Sequence, residues 1–355
     1  MTNVEQRRAG GTNWLSVLVP VFNVEPYLEE CLASVIAQVE QLGGAQAGVE
    51  VLVLDDCSTD GSAALMQALA RRWPGQLRLM AHERNQGLSA ARNSMIDAAT
   101  GEYLWFLDSD DKLLPGSLSA LQGITRAQAP DVVLCDFQVW RERMTLKHRL
   151  RGELHRSSFD GAARRLLSNR CSVLADVLMP GELHAWSKIS RRSLWGDDLR
   201  FPVGQYFEDM ATMPLMMLRA ASFYYADQPW VAYRQRAASI LATPNRGKAI
   251  DQARALVAFR AALEGGGCGG DARLQLALAH QSARNFIGAM RYLDGMQGSA
   301  AERQGAMRTV RESFAASSPL APDALCKAYG SRGWWLRRAK LRQWLKAAAM
   351  AGMGS

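Results

Sequence analysis

The sequence contains few of the residues that build thiolate or imidazole metal centres. Six cysteines and five histidines occur among 355 residues, the cysteines are scattered, and neither a C-x-x-C pair nor a histidine at ligand spacing is present. This pattern argues against a zinc site and against a disulfide framework, so we expect reduced thiols. An N-terminal apolar stretch of signal type and any run of about 18 apolar residues are also missing. We therefore expect a protein that is made and kept in the cytoplasm.

Two common nucleotide-binding fingerprints are missing as well. The chain has no G-x-x-x-x-G-K-[ST] and no strand-linked G-x-G-x-x-G, which excludes a P-loop and a dinucleotide fingerprint. A nucleotide bound by this chain would be held by carboxylates, arginine and a metal ion instead.

Acidic residues do not occur after Asp323, whereas seven lysines and arginines do, and these account for seven of the eight net positive charges. The basicity therefore belongs to the C-terminal tail. The remaining composition, with 48% apolar and 21% charged residues, is that of a globular protein. Its length allows one large domain or two ordinary ones.

Short apolar runs alternate with segments of helical period in the N-terminal part. The predicted strands are 15–21, 49–54, 77–81 and 104–107, and the predicted helices are 27–39, one ending at residue 72, and 89–99. This order predicts a parallel sheet covered on both faces, with ligands bound outside the carboxyl ends of its strands.

The strand predicted over 104–107 ends in three carboxylates, Asp108, Asp110 and Asp111. Carboxylates this close repel one another, and a hard divalent ion bound through one or two of them relieves the repulsion. The positions left on such an ion suit water and phosphate oxygens. The alternative is an acidic turn that caps the helix expected to start near Pro115.

Polar residues follow the other strands too, so that three clusters converge on one edge of the sheet. Asn23 follows the first strand, and Asp55 and Asp56 follow the second. Capping of the next helix is an alternative explanation for Ser58 and its neighbours. It explains less well why two carboxylates stand together, where either could accept the imide N–H of a uracil or ribose hydroxyls.

Four motifs occur in order at these strand ends: Pro20-Val21-Phe22-Asn23, Val53-Leu54-Asp55-Asp56-Cys57-Ser58-Thr59-Asp60, Asn85-Gln86-Gly87-Leu88-Ser89-Ala90-Ala91-Arg92-Asn93 and Asp108-Ser109-Asp110-Asp111. Over residues 14–120 the chain resembles an inverting family 2 glycosyltransferase, of the type that builds bacterial surface polysaccharides. The resemblance continues more weakly to residue 234 and fades beyond 245. It implies an α/β protein with the GT-A fold, a mostly parallel sheet with helices on both faces, and a helical C-terminal extension.

The resemblance also implies a donor site for a nucleotide-diphospho-sugar, with UDP or GDP as the nucleotide. Asp110 would be the main ligand to Mg²⁺ or Mn²⁺, with Asp108 near the ribose and the metal. Asp56 would recognise the base, and Arg92 would neutralise or position the nucleotide-sugar. The predicted nucleotide-sugar-binding residues are Pro20, Phe22, Asn23, Asp55, Asp56, Ser58, Asn85, Arg92, Asp108, Ser109, Lys188 and Arg234.

The general base of the resembled family matches Asp209, which would take the proton from the acceptor hydroxyl during an inverting attack. Chemistry alone allows Glu208 the same role, since either carboxylate could be ionised within hydrogen-bonding reach. The alternative is a surface acidic turn at the start of the helix predicted over 210–218, where negative charge favours the helix dipole.

We expect a short extension over residues 1–13, a GT-A domain over 14–245 and a helical region over 246–355. Residues 14–120 would bind the donor and residues 121–245 the acceptor. Late strands are predicted over 223–226 and 230–233, and helices over 246–297 with a glycine-rich turn or hinge at 264–270.

The basic tail carries three tryptophans, Trp334, Trp335 and Trp344, among five cations that end at Lys346. On a helix, Trp334, Leu341, Leu345 and Ala348 would share one face. Such a segment could contact the inner membrane surface, and we expect this rather than nucleic-acid binding or a merely solvated helix end.

Two functions from different classes remain open. The first is a metal-dependent glycosyltransferase that adds a sugar to a glycan or lipid-linked acceptor of a surface polysaccharide. The second is a non-catalytic subunit that binds nucleotide-sugar or glycan. The presence of Asp56, Asp110 and Asp209 favours the enzyme. A nucleotidyltransferase would need a glycine- and lysine-rich first turn, which the chain lacks.

Overall fold

The described residues of the computed structural model are 13–141, 145–235, 243–265, 267–296 and 299–350. The chain forms two compact units. The first unit comprises Met1–Arg156, Ala185–Val203 and Ala226–Arg234, and the second unit comprises Ser157–His184, Gly204–Tyr225 and Gln235–Ser355. The predicted domain boundary at residue 245 stays a prediction.

The first unit is built on a sheet whose strand order is β3-β2-β1-β4-β8-β6-β9-β5. Its strands are β1 (Leu15–Val21), β2 (Val49–Asp55), β3 (Leu77–Ala81), β4 (Tyr103–Phe106), β5 (Lys112–Leu113), β6 (Val132–Trp140), β8 (Lys188–Arg191) and the part of β9 (Phe223–Arg234) that starts at Ala226. The first four strands are parallel to one another, as the sequence predicts. β8 then pairs antiparallel with both β4 and β6.

The helices of the first unit lie between these strands, and the first three of them occur where the hydrophobic period predicts helices. They are α1 (Glu25–Gln41), α2 (Ser62–Arg72), α3 (Leu88–Ala98), α4 (Ser117–Gln128) and α5 (Leu146–Leu150). Pro26 stands in the first turn of α1, where backbone N–H groups have no acceptor within the helix. The absence of an N–H in proline therefore costs no hydrogen bond there. The two predicted late strands are one continuous strand, β9.

The second unit is mainly helical. It contains β7 (Leu166–Leu167), which pairs with the start of β9, and the helices α6 (Arg170–Leu178), α7 (Glu208–Arg219), α8 (Arg246–Arg254), α9 (Val257–Gly265), α10 (Ala272–Asp294), α11 (Ala300–Ser317), α12 (Pro322–Ser331) and α13 (Trp335–Met350). The long helix α10 supplies much of the core, with Phe286 stacked on Phe314 of α11 at 5.0 Å. Asp271 caps α10 by accepting from the N–H of Leu274.

The expectation of reduced cysteines is wrong for one pair, because Cys171 and Cys268 form a disulfide. The two residues are 97 positions apart, so no short spacing could reveal the pair. Cys268 lies in the glycine-rich segment between α9 and α10, which is the turn that the sequence predicts. The other four cysteines are free thiols.

The apolar face of the tail helix packs inside the second unit. Leu341 and Ala348 are buried in its core, and Trp334, Trp344 and Leu345 pack against that core. Among the described residues of the tail, the large apolar side chains that remain exposed are Trp335 and Leu336, on the first turn of its helix. Among the described helices, none is long and apolar enough to cross a membrane.

The disulfide makes a prediction about stability. Closing a loop of this length removes conformational freedom from the unfolded chain, worth on the order of 4–5 kcal/mol. We expect the double variant Cys171→Ser/Cys268→Ser to lose a free energy of unfolding of about that size in urea titrations, and Cys57→Ser, at a free thiol, to lose far less. Alkylation of the unfolded, unreduced wild type should label four cysteines, and six labels would contradict the pair.

A second stability prediction concerns His280, which is 4% exposed and whose Nδ1 lies 2.8 Å from the hydroxyl of Tyr329. Burial, together with the positive charges of Arg337 and Arg284, lowers the pKa of His280 to about 3. At pH values below 6.5, the ordinary pKa of histidine, this side chain binds a proton in the unfolded chain but stays neutral in the folded protein. The free energy of unfolding therefore falls as the pH falls from 6.5 toward 3.

Within this pH range, His280 should lower the free energy of unfolding by about 1.4 kcal/mol for each pH unit. We therefore expect the free energy of unfolding to fall by about 2 kcal/mol less in His280→Gln than in wild type between roughly pH 6.5 and pH 5. Urea titrations at several pH values measure the difference. Parallel pH profiles for the two proteins would show that the imidazole is not held neutral.

Candidate functional site

The parallel strands bring three chain turns to one edge of the first unit. Val21 of β1 pairs with Asp55 of β2, and Leu18 of β1 pairs with Phe106 of β4. The turns that follow these strands, which carry the predicted donor-site residues, therefore start side by side. This is the edge at which open α/β sheets bind ligands.

Asn23 joins the turn after β1 to the turn after β2. It adopts the left-handed conformation with φ 53°, which asparagine tolerates better than most residues. Its Oδ1 accepts from the N–H groups of Thr59 at 2.8 Å and Asp60 at 3.3 Å, and its own N–H donates to Ser58 Oγ at 3.1 Å. Phe22 beside it is 44% exposed.

The turn after β2 stabilises itself as well, as the capping alternative predicts. Asp55 accepts from the N–H of Ser58 at 3.1 Å. Asp60 accepts from the N–H of Ser62, the first residue of α2, at 2.9 Å. Ser58 and Asp60 therefore have a structural role that is compatible with a binding role.

Asp56 is 2% exposed and organises the segment that follows β3. One carboxylate oxygen lies 2.6 Å from His82 Nδ1 and accepts from the N–H of Gln86 at 2.9 Å. The other accepts from Asn85 Nδ2 at 3.0 Å and from the N–H of Gly87 at 2.7 Å. A carboxylate offers about four lone-pair positions, so these donors fill its capacity. Recognition of the base by Asp56 stays a prediction.

Sequence reasoning missed His82. Its Nε2 lies 2.9 Å from Ser94 Oγ, so the imidazole links Asp56 to α3. The available signal was its position, because His82 directly follows β3 and so stands at the same edge as the other polar clusters.

Arg92 is pinned beside the acidic turn. It is 1% exposed, donates to Asp108 Oδ1 at 2.8 Å, and lies over the rings of Phe201 at 5.2 Å and Phe106 at 6.0 Å. A buried guanidinium needs such a partner, and the pair partly offsets the repulsion among the carboxylates of the turn. The structure thus brings together Arg92 and Asp108, two of the predicted donor-site residues.

Arg234, in β9, also contacts the acidic turn that follows β4. Its side chain donates to the backbone carbonyl of Asp110 at 2.8 Å, and its N–H donates to Asp111 Oδ1 at 2.7 Å. The guanidinium also pairs with Glu30 at 2.8 Å and lies 3.7 Å from the ring centre of Trp140. Arg234 therefore positions the turn, and its predicted nucleotide contact stays a prediction.

Burial and neighbouring charges shift the pKa values of two side chains near the acidic turn. Burial raises the pKa of the Cys31 thiol well above its ordinary value, and the nearby carboxylates of Asp111, Asp110 and Asp108 add to the shift. Burial would also raise the pKa of Glu30, but hydrogen bonds from Lys112 and Arg234 lower it overall.

Asp108 and Asp110 fit a divalent cation that is completed by a nucleotide. Both are partly exposed, and Asp108 directs one oxygen to Arg92. No cluster of three acidic, histidine or cysteine groups that could hold a metal occurs among the described residues. Mg²⁺ in nucleotide enzymes needs only one or two carboxylates besides phosphate oxygens and water, which this pair can supply.

Three further predicted residues lie deeper. Pro20 is buried within β1, and Ser109 is 5% exposed. Lys188 is fully buried in β8, where its ammonium group donates to Ser187 Oγ at 2.8 Å. Its contact with a diphosphate stays a prediction.

Asp209 and Glu208 occupy the first turn of α7 in the second unit, and both are partly exposed. Phe207 precedes them in the left-handed conformation with φ 58°, which is strained for a bulky side chain. The two carboxylates stand near the positive end of the helix dipole, a position that suits negative charge. An ionised carboxylate is what a general base requires, and the assignment of that role stays a prediction.

The second unit also contains a cavity of about 470 Å³ lined by polar and apolar residues from 161–176 and by Arg273. Arg273 donates to Ser172 Oγ and to Asp176, and Asn169 caps α6, so these polar groups bond one another. Burial raises the pKa of Asp176 to about 6, although the guanidinium of Arg273 opposes the shift.

A family profile described as Glycosyl transferase family 2 matches residues 16–175, which include the three strand-end clusters. This part of the chain is therefore similar to the glycosyltransferases of family 2. The S. aureus protein TarS, solved as fragment 1-349 in complex with UDP-GlcNAc, is similar in fold with a TM-score of 0.66 and 19% identity. The alignment covers 96% of this chain and 92% of that one. The expected GT-A fold is confirmed.

Curated relatives match parts of this chain as well. Glycosyltransferase GlyA of Streptococcus pneumoniae serotype 4 is 28% identical over 64% of this chain and 31% of its own length. A Bacillus subtilis protein named putative teichuronic acid biosynthesis glycosyltransferase TuaG is 36% identical over 28% of this chain and 38% of its own length. The chain thus spans about a third of each of these relatives.

The contacts of Asp56 lead to a prediction that separates loop positioning from base recognition. In Asp56→Asn an amide group would face the N–H donors of Gln86 and Gly87, and charge-assisted hydrogen bonds would be lost. We expect hydrogen exchange at these two amides to accelerate by about tenfold or more in the nucleotide-free protein. The matched control is Asp60→Asn, which changes the neighbouring turn only. If hydrogen exchange is unchanged in Asp56→Asn, Asp56 does not hold this segment in place, and recognition of the base is the role that remains for it.

Proposed function

We propose that this protein transfers a sugar from a nucleotide-diphospho-sugar to a hydroxyl group of an acceptor, with inversion at the anomeric carbon. The observation that carries the proposal is the gathering of Asp56, Asp108 and Asp110 with Arg92 at the carboxyl edge of a family 2 domain. The complex of TarS with UDP-GlcNAc supports a uridine nucleotide as the first donor to test.

The donor side would use charge in two ways. Arg92, fixed by Asp108, would place a positive charge near the diphosphate, and Asp110 would be the main protein ligand of Mg²⁺ or Mn²⁺ with Asp108 beside it. The metal would stabilise the negative charge on the departing nucleoside diphosphate. Arg234 would hold the turn that presents both carboxylates.

The acceptor side would use Asp209 as the general base, with Glu208 as the second candidate. The acceptor hydroxyl loses its proton to the carboxylate while its oxygen bonds to the anomeric carbon. The bond from that carbon to the diphosphate oxygen breaks on the opposite face, so the configuration is inverted. The step needs a carboxylate within hydrogen-bonding reach of the acceptor hydroxyl.

The names of the relatives support an acceptor that belongs to a cell-surface polysaccharide, because TuaG is named for teichuronic acid biosynthesis. We propose a glycan or lipid-linked acceptor that is used on the cytoplasmic side of the membrane. Contact with the membrane through the basic tail would then involve Trp335 and Leu336, which are 61% and 79% exposed. The second candidate function is a non-catalytic nucleotide-sugar-binding subunit, with which a buried, fully hydrogen-bonded Asp56 is compatible.

Two variants test the donor and acceptor roles separately. Asp110→Asn should weaken metal-dependent binding of the donor, measured by calorimetry with UDP-sugars and Mn²⁺. Asp209→Asn should bind donor normally and lower turnover by about 100-fold or more, because it removes the proton acceptor. Release of nucleoside diphosphate, with a membrane lipid extract as acceptor, measures turnover.

Glu208→Gln is measured beside Asp209→Asn to decide which carboxylate is the base. Asp97→Asn, at an exposed ion pair with Arg200, is the matched control and should behave as wild type. Donor binding by the wild type without turnover for any donor in a panel of UDP- and GDP-sugars would favour the non-catalytic function. Failure to bind any nucleotide would overturn both.

A further inference from the structure

Three exposed leucines stand close together in sequence after β6, in the first unit. Leu146, Leu150 and Leu154 are 72%, 80% and 51% exposed. Leu146 and Leu150 begin and end α5 at a spacing of four residues, which places them on one helical face. We call residues 145–156 the leucine loop. Single exposed apolar residues are ordinary, but a cluster of large ones marks an interaction surface.

Backbone hydrogen bonds to β6 hold the leucine loop at its base. The N–H of Phe137 donates to the carbonyl of Arg156 at 3.2 Å, and the N–H of Arg156 donates back at 2.7 Å. The N–H of Val139 also donates to the carbonyl of Glu153 at 2.7 Å. The three leucines are therefore exposed on a segment whose backbone is held in place by hydrogen bonds to the sheet.

The charge of the leucine loop has one sign at its surface. Its cations are Lys147, Arg149, Arg151 and Arg156. Its single carboxylate, Glu153, is buried and accepts two hydrogen bonds from Arg141, at 2.6 and 3.3 Å. The side chains of Arg149 and Arg151 are exposed on either side of Leu150. The surface thus combines leucine with arginine and presents no carboxylate of its own.

We propose that the leucine loop docks this protein on an anionic lipid bilayer. The leucines would enter the boundary between headgroups and acyl chains, and Arg149 and Arg151 would bind lipid phosphates. Large apolar side chains interleaved with cations are typical of interfacial segments, and charge complementarity selects an anionic surface. An apolar pocket on a partner protein would explain the leucines but not the arginines between them. The proposal goes beyond sugar transfer and does not depend on the donor.

Sedimentation of the full chain with phosphatidylcholine vesicles, with and without phosphatidylglycerol, tests this proposal. We expect wild-type binding to require the anionic lipid and to weaken as salt is raised. The triple variant Leu146→Ser/Leu150→Ser/Leu154→Ser should bind roughly tenfold or more weakly. Arg149→Gln/Arg151→Gln should lose about tenfold on anionic vesicles only. Since all five side chains are exposed, the variants should keep the wild-type melting temperature and nucleotide affinity.

Two controls make the outcome decisive. Val203→Ser changes a 61% exposed apolar residue elsewhere in the first unit and should not alter vesicle binding. Trp335→Ala/Leu336→Ala removes the exposed apolar residues of the tail. Loss of binding in the tail variant with none in the triple leucine variant would overturn the proposal, as would absence of vesicle binding by the wild type. A wild-type oligomer that the triple variant dissociates, without vesicle binding, would assign the surface to a second copy of the chain.

Discussion

The repulsion among carboxylates gathered at one edge of the sheet is the constraint on which the donor side of this protein depends. Parallel strands place Asp55 and Asp56 next to the turn that carries Asp108, Asp110 and Asp111. Like charges at such spacing destabilise the fold unless donors or cations compensate them. Backbone amides and His82 compensate Asp56, and Arg92 compensates Asp108. The sheet edge is therefore a balanced electrostatic structure before any ligand arrives.

That balance gives several residues two roles at once. Asn23 fastens two turns together through its amide oxygen, and Arg234 fixes the acidic turn through the carbonyl of Asp110 and the carboxylate of Asp111. Each was selected from sequence as a ligand-binding residue. In the structure each is also a part of the framework that holds the turns, which is how a site keeps its geometry while its ligands exchange.

Much of the structure of residues 14–120 could be predicted from sequence because its signals are local. Alternating apolar runs give β1 to β4, and the strand-end polar residues give the edge at which they meet. The bonds that organise this edge are long-range and could not be read locally. The link from Arg234 to Asp111 spans 123 residues, and that from His82 to Asp56 spans 26. The same limit hid the disulfide and hid the packing of the tail helix against α10, which places Leu341 in a core rather than at a surface.

The crosslink between Cys171 and Cys268 has a consequence for how this chain can be divided. The family match ends at residue 175, inside α6 and four positions after Cys171, while the cysteine that pairs with it lies far downstream. A chain shortened to the family match would cut α6 in two and leave a thiol without its partner. A piece of this protein that contains the whole family match and keeps the crosslink must therefore extend at least to Cys268.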